Sequence, residues 1–204
     1  MIKAVVFDLG NVLVDFDYSI AAKRIKHFSS INIKDIPKLI ISSEITKNFE
    51  EGKISPGDFF LYIKSLLRLN ISYEAFVPIW NEVFFLSAKN RAVFSIANIL
   101  RGKYKIAILS NINTLHFDYL KRNFPIFDIF HEVFASCDMG IVKPDLKIYN
   151  KALEFLGVAP QEVFYTDDRE ELITKARFLI PNSFVFKGIK KLKNDLIESG
   201  VILN

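Results

Sequence analysis

Four short stretches hold the residues whose types and spacing could do chemistry: Asp8, the pair Ser110-Asn111, Lys143, and the pair Asp167-Asp168. Asp8 and Asp167, with Asp168 as a candidate third, would make a cluster of oxygen ligands suited to Mg²⁺, a hard cation usually held by one or two carboxylates plus waters. Carboxylates that close repel one another, so the cluster itself calls for a cation. Ser110 and Asn111 supply a hydroxyl, an amide and the start of a helix, all able to bind an anion such as phosphate. Lys143 would be a point charge that binds phosphate and balances the carboxylates. Each residue alone has a plainer explanation: an Asp can end a strand and cap a turn, and a lysine before a helix is commonly on the surface. Only convergence in one place separates the two readings.

The elements needed for that convergence are legible. The run Ile2–Phe7 is apolar apart from Lys3 and stops at Asp8, followed by the turn-forming Leu9-Gly10-Asn11. A short apolar run bounded by a turn reads as a buried, central parallel strand. Tyr104–Leu109 reads as a second strand and ends on Ser110-Asn111, Val133–Ser136 as a third, Val163–Thr166 as a fourth ending on Asp167-Asp168, and Ser183–Phe186 as a fifth. Helical patterns lie between them. One runs through Val93, Ile96, Ala97 and Leu100, others over Leu115–Arg122 and Asp145–Leu156, one ends near Phe178, and one closes the chain. Strands alternating with helices predict an α/β fold, a Rossmann-like parallel sheet of about five strands with helices on both faces. Asp8, Ser110-Asn111 and Asp167-Asp168 then fall at the carboxyl ends of strands, where open α/β sheets bind ligands.

From Tyr18 to Leu86 several helix patterns occur and no convincing strand. Ser55-Pro56-Gly57-Asp58 is a strong helix start, with Ser as N-cap and Pro at the first helical position, followed by Phe59, Phe60, Tyr62, Ile63, Leu66 and Leu67 at helical spacing. Gly52 is placed to end the preceding helix, and Ser72 to open another through Trp80 and Val83. About four helices would form a small bundle. The boundary is thus topological: residues 1–14 and 87–204 make the sheet domain, and residues 15–86 are inserted above Asp8 as a cap that can exclude water and choose the substrate.

Half of the 204 residues are hydrophobic and 20 are Phe, ample for a sizeable core. The net charge of +4 owes much to Lys187–Lys193, which reads as a solvated helix face. No basic stretch is interleaved with aromatics in the manner of a nucleic-acid groove, and no run of 18 apolar residues exists for a membrane span. Cys137 stands alone and cannot form an internal disulfide. The opening residues lack the pattern of a signal peptide. A soluble, cytoplasmic protein, monomeric or homodimeric, is expected.

The chain resembles the haloacid dehalogenase-like (HAD) hydrolases, in the subgroup with a helical cap after the first motif. The resemblance rests on four motifs in order: Asp8-Leu9-Gly10-Asn11-Val12-Leu13, Leu109-Ser110-Asn111, Lys143-Pro144 and Asp167-Asp168-Arg169. It implies a Mg²⁺-dependent phosphatase acting on a small phosphorylated metabolite, most naturally a sugar phosphate. Asp8 would attack phosphorus and form an aspartyl-phosphate. The metal ligands would be Asp8, the backbone carbonyl of Gly10 and Asp167, supported by Asp168. Ser110, Asn111 and Lys143 would hold the phosphate.

There are two departures. Phosphatases of the family usually carry a second Asp two residues after the nucleophile, as acid and base; that position is Gly10 here, as in a branch of small sugar-phosphate phosphatases. Asp15 or Asp17 could substitute, or cap the next helix instead. Leu172 stands where an Asn is common. His116, in the helix after Ser110-Asn111, reads as an ordinary surface or interface residue, with substrate contact as the alternative, and His27 and His131 show no partner. Two other functions compete. One is a 2-haloacid dehalogenase, which needs no metal; the other is a catalytically weak relative that binds a phosphorylated ligand or a protein.

Overall fold

Five apolar runs become one parallel sheet in this computed structural model, which describes residues 1–30 and 44–203. In chain order the strands are β1 (Ala4–Phe7), β2 (Asp15–Phe16), β3 (Phe84–Phe85), β4 (Lys105–Ser110), β5 (Glu132–Ala135), β6 (Val163–Asp167) and β7 (Asn182–Val185). The sheet order is β5-β4-β1-β6-β7. The central strand is β1, buried along its whole length. Its residues alternate between faces as the pleat requires. Val5 and Phe7 join one core, with Ile106, Ile108 and Phe164. Ala4 and Val6 join the other, with Ala107, Leu109, Val163 and Tyr165. Burial on both sides explains why these strands read as continuous apolar runs.

Ten helices follow among the described residues. They are α1 (Tyr18–Ile25), α2 (Glu44–Glu50), α3 (Pro56–Leu66), α4 (Tyr73–Asn81), α5 (Ala88–Leu100), α6 (Thr114–Asn123), α7 (Ser136–Met139), α8 (Leu146–Leu156), α9 (Glu170–Ala176) and α10 (Ile189–Glu198). One face of the sheet is covered by α5, α6 and α10 through Val93, Leu100, Leu120, Leu192 and Leu196. The other is covered by α8 and α9 through Ile148, Tyr149, Leu156, Ile173 and Ala176.

The helices α1 to α4 lie between β2 and β3 and have their own core: Ile25, Phe49, Phe59, Phe60, Ile63, Phe76 and Trp80. Their starts are written in the sequence. Asp17, Ser55 and Ser72 each accept a backbone N–H of the first turn, satisfying donors that have no partner within the helix. The helical region expected over residues 18–86 includes 31–43, which lie outside the described residues.

That region holds one strand that was not expected. Phe84–Phe85 pairs antiparallel with Asp15–Phe16. Two residues are too few to show alternation, and the pairing arises because the chain passes this point twice, entering and leaving the helical insertion. Two boundaries also differ. The helix expected to run through Val83 stops at Asn81. Ser136, expected in a strand, begins the short α7 instead.

Register sets the site. Phe7 lies opposite Ile108 on one side and Thr166 on the other. Asp8, the residues after β4 and Asp167 therefore emerge side by side at the carboxyl edge of the three central strands.

Candidate active site

Asp8 leaves β1 with its N–H donating to Thr166 O at 2.9 Å. The turn behind it depends on Asn11, which takes a left-handed φ of 57°, a conformation Asn tolerates better than most residues. Its N–H donates to Val14 O at 2.7 Å, and its side-chain Nδ2 donates to Asp168 Oδ2 at 2.9 Å. The opening turn thus holds the second acidic residue of the fourth motif.

Lys143 is at the centre. Its Nζ donates to Asp8 Oδ1 at 2.7 Å and to Asp167 Oδ2 at 2.6 Å. Leu109 O, at 2.9 Å, and the Tyr165 hydroxyl, at 3.3 Å, complete its surroundings. It is buried, not the surface lysine that an isolated reading allowed, and its side chain is 1% exposed. A charge so far from water is tolerated only when paired. Asn111 fixes where it stands: the Asn111 amide donates to Lys143 O at 2.9 Å and accepts Lys143 N–H at 2.7 Å. Both polar atoms of that side chain are committed to the Lys143 backbone, so Asn111 serves the site by placing the lysine. Ser110, also buried, lies at the end of β4 beside it.

Asp8, Asp167 and Asp168 each offer a carboxylate oxygen, and these oxygens lie within 4.8 Å of one another. That is a donor set of the kind hard divalent cations take, and Mg²⁺ fits it. The electrostatics are lopsided. Burial, opposed by Lys143 and reinforced by Asp167 and Asp168, pushes the Asp8 carboxyl up to about 7. Burial acts upward on Asp167 too, but there the charge and hydrogen bond of Lys143 win and hold it below the usual range. Burial would lower Lys143; Asp167 and Asp8 outweigh it, so the ammonium is held firmly protonated. Asp168 is raised, mainly by burial, with Asn11 opposing.

A cavity of about 510 Å³ opens over these groups, within the range of small-molecule sites. Asp8, Gly10, Asn11, Ser110, Asn111, Lys143 and Asp168 line it from the sheet side, and Tyr18 and Glu50 from the helical insertion. Neither Asp15 nor Asp17 is part of the lining. Asp15 is paired with Lys89 Nζ at 2.6 Å and accepts from Asn90 Nδ2 at 3.1 Å. Asp17 caps α1, accepting Ser19 N at 2.8 Å and Ser19 Oγ at 2.9 Å. Leu172 is buried at the cavity wall.

His116 is an interface residue. It is buried and stacks on Trp80 of the insertion, with ring centroids 5.4 Å apart. One ring nitrogen lies 3.1 Å from Trp80 O, and the other lies 3.0 Å from Asn113 Nδ2. Nε2 therefore donates to the carbonyl and Nδ1 accepts from the amide. His131, which showed no partner in the sequence, accepts Ile106 N–H on Nδ1 at 3.0 Å.

The residues that sequence reasoning missed are Asn11 as a holder of Asp168, and Phe16, Tyr18 and Glu50 at the cavity. Asn11 could have been found from its place in the turn after Asp8. The other three carry no local signal.

The family model for haloacid dehalogenase-like hydrolases matches residues 2–174. The chain belongs to this family. Among the relatives of this HAD-like hydrolase, two that match over most of their length are phosphatases by name. The sesquiterpene phosphatase astK of Aspergillus oryzae is 27% identical over 176 residues, 86% of this chain and 85% of astK. The D-ribitol-5-phosphate phosphatase of Bacteroides thetaiotaomicron is 27% identical over 177 residues, 82% of this chain and 84% of its own. Among solved structures, the HAD family enzyme bt-2542 of Bacteroides thetaiotaomicron superposes with a TM-score of 0.80 at 26% identity, covering 92% of this chain and 95% of its own. That enzyme was solved in complex with magnesium and inorganic phosphate. The five-stranded parallel sheet with its helical insertion is accordingly the fold of the HAD-like hydrolases. Among the described residues, no helix of this HAD-like hydrolase is long and apolar enough to cross a membrane.

Proposed function

We propose that this HAD-like hydrolase is a Mg²⁺-dependent phosphatase that cleaves small phosphorylated metabolites, sugar phosphates foremost, through a phosphorylated Asp8. The observation that carries this is Lys143, buried between Asp8 and Asp167 beside a third carboxylate. A protein using these groups for structure alone has little need of three clustered carboxylates. The phosphatase relatives, and the magnesium and phosphate held by the structural neighbour, support the reading.

Asp8 is the nucleophile. Lys143 and Asn111 hold its carboxylate in one orientation, with Lys143 taking Oδ1, so its geometry is set before the substrate arrives. Ser110 and Lys143 face the phosphoryl oxygens and stabilise the charge that builds on them. Mg²⁺, held by Asp8, the Gly10 carbonyl and Asp167 with Asp168 in support, would supply the positive charge that lets a carboxylate approach a phosphate. Residues 1–14 and 87–204 furnish this machinery, and residues 15–86 act as the cap that closes the cavity and selects the organic part of the substrate.

The test is phosphate release from p-nitrophenyl phosphate and a panel of sugar and polyol phosphates, with Mg²⁺ and with EDTA. Magnesium-dependent release that Asp8→Asn abolishes is the expected result. If no ester yields phosphate under any metal condition, the reading fails.

A further inference from the structure

We propose that Glu50, carried to the cavity by the inserted helices, protonates the leaving oxygen and then activates the attacking water, in place of the side chain that residue 10 lacks. The proposal rests on the phosphatase reading above.

Position 10 cannot supply the group itself. A Cβ on Gly10 would stand 2.9 Å from Phe16 Cε1, closer than real Cβ contacts come, so the ring of Phe16 occupies that space. The proton must come from another cavity residue, and most are committed. Lys143 is shared between Asp8 and Asp167. Asp168 is bound by Asn11 and belongs to the carboxylate cluster. Tyr18, raised by burial with Glu50 adding to it, keeps its proton far above neutral pH. His116, lowered to about 4 mainly by burial, is neutral with both nitrogens engaged. Arg169 is always charged and pairs with Glu171 at 2.7 Å. Glu50 remains.

Its placement is built in from both sides. Glu50 is the last residue of α2. Its carbonyl accepts the Ser136 hydroxyl at 2.6 Å, and that same hydroxyl accepts Ile112 N–H at 2.9 Å. One fully buried serine therefore ties the end of α2 to the loop that follows Ser110 and carries Asn111. Two residues on, Gly52 has a φ of +66° and packs on the Cys137 carbonyl so closely that a Cβ would lie 2.3 Å from its oxygen. Only glycine permits that approach. The Glu50 carboxyl senses the charges of Arg169 and Lys143, both cavity residues, and that of Glu51, and it in turn raises the Tyr18 hydroxyl. Burial, the largest influence, pushes it up to about 7 against those two cations. A carboxyl of that strength can give and take a proton near neutral pH.

The steps balance. Protonated Glu50 delivers its proton to the ester oxygen as the P–O bond breaks and the bond from Asp8 to phosphorus forms. The resulting Glu50 carboxylate takes a proton from water as the water oxygen bonds to phosphorus and the Asp8–phosphorus bond breaks. Phosphate leaves and both side chains return to their starting states.

Glu50→Gln tests this on two esters. p-Nitrophenolate leaves without a proton, whereas the alkoxide of a sugar phosphate needs one. Glu50→Gln is expected to lower kcat/KM for the best sugar phosphate about 10²–10⁴-fold. With p-nitrophenyl phosphate kcat/KM should change far less, while a burst of p-nitrophenolate appears as phosphorylated Asp8 accumulates. The alkaline fall of kcat/KM for the sugar phosphate, centred near pH 7, should disappear in Glu50→Gln and persist at reduced rate in Glu50→Asp. Equal losses on both esters, or a Glu50→Gln enzyme with unchanged rates and pH profile, would overturn the proposal. Should Glu50→Gln fail to fold, the pH profile of Glu50→Asp decides, since loss of the limb there is equally contrary. A wild-type enzyme that hydrolyses no ester fails the phosphatase reading instead.

Discussion

Phe16 stands where a side chain on residue 10 would have to go. The nearest ring carbon is 2.9 Å from the Cβ that Gly10 lacks. Phe16 is held there by its pairing opposite Phe84 in the small antiparallel ladder and by ring contact with Tyr18 at 5.1 Å. The glycine and the aromatic form a matched pair, and a carboxylate two residues after Asp8, as other family phosphatases carry, would have to displace that ring.

This pairing predicts a coupling. Gly10→Asp alone should destabilise the protein by about 1–3 kcal/mol, the usual consequence of overpacking a filled site. Combined with Phe16→Ala it should cost less than the sum of the two single changes. Urea melts of the four proteins measure it, and strict additivity would show that Phe16 moves aside freely.

Lys143 is the sole cation bonded to Asp8 and Asp167 among the described groups. Lys143→Ala leaves two buried carboxylates facing each other, and should cost about 3–5 kcal/mol in EDTA. The sign with pH follows from linkage. Without the lysine both folded-state pKa values rise above their unfolded values, so stability is retained at low pH and lost as pH rises. The deficit relative to wild type should therefore be greater at pH 8 than at pH 5, and an equal deficit at both would contradict the geometry.

Divalent-cation binding should register in stability as well as in turnover. A ligand bound only by the folded state adds about 2.7 kcal/mol at a concentration 100 times its Kd. Thermal melts with Mg²⁺ should shift upward, and Asp168→Asn should shrink the shift without abolishing the fold. Equal shifts in the two proteins would place the ion away from the three-carboxylate cluster.

His116, on the helix after β4, ties the inserted helices to the sheet as a neutral ring. Its pKa, lowered to about 4 by burial, lies below the ordinary value of 6.5. The unfolded chain therefore takes up a proton first as pH falls, and stability present above 6.5 is lost on the way down to 4. The loss should be on the order of 3 kcal/mol from this residue. Denaturant melts across pH 4–7 should show a shallower decline in His116→Gln than in wild type. Identical slopes would mean that the histidine is reached by solvent.

Much of the architecture could be read from the chain itself. Strands buried on both faces must be apolar throughout, so β1, β4 and β6 stand out, and a polar residue that ends such a run marks the sheet edge where ligands bind. Asp8, Ser110 and Asp167 were legible for that reason, Lys143 through its Lys143-Pro144 motif, and the helix starts at Ser55 and Ser72 because capping is a matter of neighbours in sequence. What the tertiary structure decided depends on which surfaces meet. That Lys143 is buried between two carboxylates follows from the strand register and the Asn111 clamp. That Phe16 closes off position 10 follows from a two-residue ladder too short to leave a pattern. Glu50 reaches the cavity because Ser136 and Gly52 dock the end of α2 on the short helix after β5, a contact between residues more than 80 positions apart. Periodicity reports which face of a helix is apolar; it does not report what that helix is packed against, and the place of Glu50 in the cavity lining lies in that second fact.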